Sequence, residues 1–285
     1  MRRSQSLLAA LVSALLGVAV VAPGAGAQPS SRALERATGY YLALGDSLAT
    51  GYQPDRGNEL DGGYVGLVHD AATERNAKTR LVNLGCAGET SQTFVDGGHC
   101  DFKRGSQLAE MRHFLQAHGQ FTRLVTIDIG ANDVQRCLSG GVIDQACIER
   151  GMAAVSVNLP AILAELRVAA PQAQIVVLDY YNPFLAAWLQ GPGGQTLAQQ
   201  SAVLQQALNG IIAHAAAGAG ADLARVSDAY QSGNWTLTSM PGAGQVPTNV
   251  ALICAWTWMC TRNDIHANDP GYAVMARTVA ALLRF

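Results

Sequence analysis

The chain has 285 residues, 49% of them apolar and 14% charged, with 19 Lys and Arg against 21 Asp and Glu for a formal net charge of −2. That apolar share over that length can bury a core and excludes a disordered chain. A mildly acidic chain with scattered basic residues also lacks the electrostatic footprint of a nucleic-acid binder.

At the N-terminus, Met1-Arg2-Arg3 is a basic start, Leu7 to Ala22 an apolar run and Ala25-Gly26-Ala27 a small-residue cleavage site, the layout of an export signal. The run is short for a membrane anchor of about 20 residues, and no later stretch reads as long and apolar enough to cross a bilayer. Removing 27 of 285 residues leaves 258, expected to form one domain over 28–285, and the loss of two arginines moves the charge from −2 to −4. Six cysteines in an exported chain read as disulfides. They fall into three neighbouring couples, Cys86 with Cys100, Cys137 with Cys147, and Cys254 with Cys260, each expected to pin a loop. No Cys-x-x-Cys or His-x-x-x-His spacing points to zinc.

Along the rest of the chain, short β-branched runs alternate with amphipathic stretches, which predicts a parallel sheet covered by helices on both faces. Five strands are expected: Tyr40 to Leu44, Leu81 to Leu84, Leu124 to Ile129, Ile175 to Leu178 and Ala224 to Val226. Between them, Leu108, Met111 and Leu115 make one helical stripe, and Met152, Val155, Leu159, Ile162 and Leu166 a longer one that Pro160 should kink or restart. Gly191-Pro192-Gly193-Gly194 reads as a loop before a third stripe through Leu204, Leu208 and Ile211. The stretch from Leu237 to Cys260 has no helical period and reads as a stapled loop or an apolar wall carrying Trp256 and Trp258. The last helix is expected to open with Asp269 as N-cap and Pro270 at its first position.

Ligands of an open parallel sheet gather at the carboxyl ends of its strands. Here those ends read Gly45-Asp46-Ser47-Leu48, Gly85-Cys86-Ala87-Gly88-Glu89-Thr90-Ser91 and Gly130-Ala131-Asn132-Asp133, and Asn263-Asp264-Ile265-His266 precedes the final helix. Taken together, in this order over nearly all the mature chain, the four blocks resemble the SGNH hydrolases, also called the GDSL esterase and lipase family, in its secreted, disulfide-containing bacterial type. The resemblance implies an α/β fold, a three-layer α/β/α sandwich around a flavodoxin-like parallel sheet of about five strands. It also implies Ser47 as nucleophile, His266 as general base, and the amides of Ser47, Gly88 and Asn132 as oxyanion donors.

Those residue types suit the chemistry. Serine needs a base to take its proton as it attacks, histidine titrates near neutral pH, and the oxyanion needs fixed N–H donors. One departure stands out: the family's aspartate three residues before the histidine is Asn263 here, so either the Asp264 carboxylate or a main-chain carbonyl must orient the imidazole. Asp46 and Asp133 adjoin site residues and could brace their loops, Tyr180 to Phe184 could line a pocket, and His99 is the one rival base.

The expected function is a secreted, cofactor-independent serine esterase or lipase acting through an acyl-serine intermediate on small-molecule or lipid esters, with fatty-acyl esters favoured by the apolar wall segments. A monomer in transient contact with lipid surfaces is expected. The rivals are a carbohydrate acetylesterase of the same family, an α/β-hydrolase whose Gly-x-Ser-x-Gly elbow Gly45 to Ala49 nearly matches, and a non-catalytic secreted binding module. The elbow of the α/β-hydrolases follows several strands, whereas Ser47 follows the first.

Overall fold

Strand β1 (Gly39–Gly45) is buried along its whole length, as a central strand covered on both faces must be. A computed structural model describes residues 39–139 and 142–285, so the expected export signal lies outside the described residues. In chain order β1 is followed by β2 (Thr79–Asn83), β3 (Thr122–Asp128), a minute antiparallel pair β4 (Leu138–Ser139) and β5 (Val142–Ile143), then β6 (Gln174–Leu178) and β7 (Asp222–Ala224). The main sheet is parallel, in the order β2-β1-β3-β6-β7. From β1 the chain steps outward to β2 and returns to β3 on the other side of β1, so a crevice opens at the carboxyl ends of β1 and β3. The register sets Gly45 opposite Asp128 at that crevice.

The helices in chain order are α1 (Gly63–Arg75), α2 (Ser91–Asp96), α3 (Gln107–His118), α4 (Ala131–Gln135), α5 (Gln145–Ala169), α6 (Pro192–Gly218), α7 (Val226–Ala229), α8 (Thr248–Trp256), α9 (Met259–Arg262) and α10 (Asp269–Ala280). Helix α1 packs on α10, and α5 packs on α3 and α6, giving a three-layer α/β/α sandwich. Leu42, Leu44, Val125, Ile127, Val176 and Val177 of the sheet sit at its buried centre.

Several boundaries differ from expectation. Pro160 does not restart the helix, since α5 runs through it: it lies on the exposed side, while Val155, Leu159, Ile162, Leu163 and Leu166 carry one continuous buried stripe. The carbonyl that Pro160 leaves without a helical partner belongs to exposed Ser156, where water can satisfy it. By length and composition alone α5 is also apolar enough to cross a bilayer, contrary to the sequence reading, yet its stripe packs against the core. Pro192, Gly193 and Gly194 form the first turn of α6 instead of a loop, with proline in a position that needs no N–H. The N-cap of α10 is Asn268, whose side chain accepts from the Gly271 amide at 3.1 Å, so Asp269 is the first helical residue. The second strand begins at Thr79 and the fifth ends at Ala224, with Val226 already helical.

The segment after Leu237 is not a loop. Strands β8 (Leu237–Met240) and β9 (Gly244–Pro247) form a hairpin, and α8 follows. Disulfides join Cys86 to Cys100, Cys137 to Cys147 and Cys254 to Cys260.

Candidate active site

The nucleophile candidate is held by a sharp exit from β1. Gly45 has φ of +132°, and a Cβ there would sit 2.2 Å from the Asp128 carbonyl, so only glycine lets β1 lie this close to the end of β3. The chain then turns helically, with the Tyr52 amide donating to the Ser47 carbonyl at 3.1 Å and the Thr50 amide to the Asp46 carbonyl at 3.1 Å. Ser47 emerges at the rim, 8% exposed.

The structure brings His266 to it from 219 residues away. The Ser47 Oγ to His266 Nε2 distance is 2.8 Å, and His266 Nδ1 lies 2.7 Å from Asp264 Oδ1. With the carboxylate accepting from Nδ1–H, Nε2 is left as the acceptor for the hydroxyl proton. Asp264 Oδ1 also accepts from the His266 backbone amide at 2.9 Å, so one oxygen fixes both the backbone and the ring. It is therefore the carboxylate, not a main-chain carbonyl, that faces the imidazole. The shift of one position has a local cause. Asn263 ends α9 in the left-handed conformation, φ 52° and ψ 40°, which asparagine tolerates, and the chain that leaves this turn presents residue 264 to the ring. Tyr52 packs its ring on the imidazole at 4.4 Å between centroids.

Two further blocks converge on the same point. Gly88 has φ of +84°, and a Cβ would lie 2.6 Å from His99 Nε2. His99 thus sits behind the Gly88 loop, 2.9 Å from the Ala87 carbonyl, and Ser47 takes its imidazole partner from His266. Asn132 donates through Nδ2 to the Glu89 carbonyl at 3.0 Å, which ties α4 to the Gly88 loop. Asp133 tightens the same junction, accepting from both the amide and hydroxyl of Ser91 at 2.7 Å. Burial holds its carboxyl above the ordinary value against the pull of those two bonds. The Ser47 and Gly88 amides have no acceptor among the described residues. They are free for an anionic oxygen, and so is the second hydrogen of the Asn132 amide.

Asp46 accepts from the Leu48 amide at 3.0 Å and from the Tyr180 hydroxyl at 2.8 Å, a brace across the site. A cavity of about 20 Å³ lies at the centre, lined by Ser47, Leu48, Asn132, Tyr180, Tyr181 and His266 among others. Trp256 instead packs edge-on against Tyr230, and Trp258 is occupied by Gln53 and by the Arg262 guanidinium, so neither lines the cavity. Among the described residues no cluster of three or more His, Cys, Asp or Glu side chains could hold a metal.

Sequence reasoning missed Asp128, Gln107 and Tyr52. A charged residue in the apolar run of β3 was the signal available for Asp128; Gln107 and Tyr52 carried none.

A hydroxyl, an imidazole and a carboxylate in series, beside free amides, can remove a proton from the hydroxyl and hold a negative oxygen. Among solved structures the chain resembles a GDSL-like lipase from Parabacteroides merdae, at 16% identity and a TM-score of 0.55, covering 86% of this chain and 96% of that one. It also resembles the lipase Lip_vut3 from a goat rumen metagenome, at 16% identity and a TM-score of 0.57, covering 86% of this chain and 97% of that one. At such identities the likeness speaks for the fold alone. No curated protein matches the chain. The GDSL-like Lipase/Acylhydrolase family matches residues 43–274, a span that takes in Ser47, Gly88, Asn132, Asp264 and His266, and the chain belongs to that family as an ester hydrolase.

Proposed function

We propose that the chain is an exported serine esterase, a single domain over residues 28–285, in which Ser47, His266 and Asp264 cleave carboxylic esters through an acyl-serine. The observation that carries this reading is the 2.8 Å contact between Ser47 Oγ and His266 Nε2, backed at 2.7 Å by Asp264. Ser47 attacks the carbonyl carbon as His266 takes its proton, and the amides of Ser47, Gly88 and Asn132 receive the oxyanion. His266 then gives the proton to the leaving alcohol, and a water molecule repeats the cycle on the acyl-serine. Export is supported by the first 27 residues and by three disulfides, which persist in oxidising compartments.

The sequence favoured lipid or fatty-acyl esters over highly charged substrates, on the strength of its apolar wall segments, and kept a carbohydrate acetylesterase as the alternative. The cavity supports that alternative's short acyl group. The space beside Ser47, about 20 Å³, admits the methyl end of a short acyl group. The tryptophans that suggested an apolar wall are committed elsewhere. Short acyl esters, with acetyl foremost, are thus the proposed substrates.

A series of p-nitrophenyl esters from acetate to palmitate tests both levels. Highest kcat/KM at two to four carbons, lost in Ser47→Ala, supports the reading. Highest kcat/KM at twelve or more carbons would overturn the acyl-length part alone. A fluorophosphonate that fails to label Ser47 of the native protein would overturn the enzyme itself.

A further inference from the structure

A groove of about 710 Å³, far larger than the space at Ser47, opens at the carboxyl ends of β6 and β7. One wall is α6 over residues 199–213, a length of about 20 Å at about 1.5 Å per residue, and the other runs over residues 225–235. It has the volume of a ligand site and the shape of a trench, suited to an extended molecule. The chain that leaves β6 divides it from the catalytic centre. Asp179 and Asn182 line the groove, while Tyr180 and Tyr181 between them line the cavity at Ser47. Strand β6 lies two places from β1 in the sheet, at about 4.8 Å per place, so the near end of the groove is on the order of 10 Å from Ser47.

The floor of the groove is locked and its rim is open. Asp179 accepts from the amide and the hydroxyl of Ser227, both at 2.8 Å, and Asn182 donates to Ser201 Oγ at 2.9 Å. Asn209 clasps the Tyr180 backbone, accepting from its amide at 3.1 Å and donating to its carbonyl at 2.8 Å. These bonds hold the shape of the trench. Gln199, Gln206, Arg225 and Asp228 are instead exposed along its rim, and Arg225 and Asp228 enter no ion pair among the described residues. Trp235 adds a half-buried ring, braced by Trp188 at 5.7 Å between centroids. Amides, a guanidinium and a carboxylate exchange hydrogen bonds with hydroxyls, and an indole face covers the C–H face of a sugar ring. A fatty-acyl chain would use the ring but cover the rim groups without pairing them. A polyanion would meet Asp179 and Asp228 with Arg225 as the one basic residue in the lining. A neutral chain rich in hydroxyls suits both the ring and the rim.

We infer that this groove binds a neutral carbohydrate chain, and that the short acyl ester cleaved at Ser47 is carried by that chain. A chain lying in the trench spans the order of 10 Å to the catalytic centre with a few linked rings, so the groove supplies the binding that the small cavity at Ser47 lacks. The second half of the inference rests on the proposed serine esterase acting on short acyl groups. The first half does not.

Two variants test the groove. Gly210 lies on its α6 wall, where a Cβ would meet nothing within 4 Å, so Gly210→Trp fills the trench without a clash. Trp235→Ala removes the ring. Xylohexaose, cellohexaose and mannohexaose are titrated into the intact protein by calorimetry. At least one should bind with Kd below about 1 mM, and about 10-fold or more weaker in both variants. Binding by none of the three overturns the carbohydrate site, and so does equal affinity in G210W and the wild type, which decides the matter even if W235A fails to fold. Turnover of p-nitrophenyl laurate that falls in G210W while no hexaose binds would assign the groove to an acyl chain instead. For the O-acetylated form of the hexaose that binds, kcat/KM relative to p-nitrophenyl acetate should fall about 10-fold in G210W. An unchanged ratio overturns the second half alone. Activity retained in Ser47→Ala would count against the nucleophile and leave the binding result standing.

Discussion

Asn132 divides its amide between two tasks. One hydrogen holds the Glu89 carbonyl at 3.0 Å and so fixes the Gly88 loop, and the other is the oxyanion donor in the proposed mechanism. Asn132→Ala should lower kcat by about 10²- to 10³-fold, equivalent to about 3 to 4 kcal/mol of transition-state stabilisation. The loop bond it also breaks is worth about 1 kcal/mol, so the protein stays folded. Circular dichroism beside a kcat measurement checks both statements, and an unfolded N132A would refute the second. Asp264 has a similar double duty through a single oxygen, bonded to the ring and to the backbone amide of His266. Asp264→Ala loses both bonds and should cost about 10⁴-fold in kcat, the scale seen when a triad imidazole loses its orienting carboxylate. Asp264→Asn should lose about as much, because an amide N–H facing Nδ1 favours the tautomer that carries its proton on Nε2 and cannot accept from Ser47. Equal kcat for D264A and wild type would mean that the main-chain segment alone holds the ring.

At the scale of elements, the site depends on a helix that supplies no reacting group. Gln107 opens α3, and its side chain accepts from the Gly45 amide at 2.7 Å, donates to the Gly45 carbonyl at 3.0 Å and donates to Glu89 Oε2 at 3.0 Å. It thereby clips the end of β1 to the loop that carries Gly88. Gln107→Leu fills the space but strands the Gly45 amide and the buried Glu89 carboxyl, each worth about 1 to 3 kcal/mol. Urea melts should show that loss, and kcat should fall with it, because the two loops that bear the proposed oxyanion donors come apart. Undiminished stability in Q107L would show that water takes over the bonds. Gln107 was not singled out from the sequence, since one glutamine near a helix start looks like a solvated polar residue. The longer sheet strands could be read because they are short apolar runs that end at glycine or a turn, and the three blocks at strand ends, with a fourth before the last helix, marked the crevice. By contrast, Thr248 to Trp256 is apolar nearly all round, with only Asn249, Val250 and Ile253 buried, so it showed no period that separates helix from wall. Pro160 misled for a related reason: the buried stripe of α5 outweighs one missing hydrogen bond on its wet side. Asp264 could be named but its role could not be settled from sequence, because the left-handed turn at Asn263 is a backbone fact.

For the whole molecule, the question is which charges govern stability as pH changes. Exposed ion pairs such as Arg112 with Glu165 and Arg262 with Asp55 contribute about 0 to 1 kcal/mol each and are screened by salt. The three disulfides close loops of 14, 10 and 6 residues and do not titrate. The buried acids are different. Asp46, Asp128, Asp133 and Asp179 are all pushed above the ordinary 3.8 by burial, although serine donors pull Asp133 and Asp179 back. A carboxyl raised in this way binds its proton more tightly folded than unfolded, so its contribution is complete below about pH 4 and declines as pH rises toward the folded value. In that window each proton held only by the folded state makes stability fall by about 1.4 kcal/mol per pH unit. Asp46 and Asp128, both buried beneath the Ser47 turn, should contribute most. Urea midpoints should therefore be higher at pH 5 than at pH 8, and Asp128→Asn should flatten that slope. Stability that rose steadily over the same range in both proteins would mean that both carboxyls are ionised in the folded state.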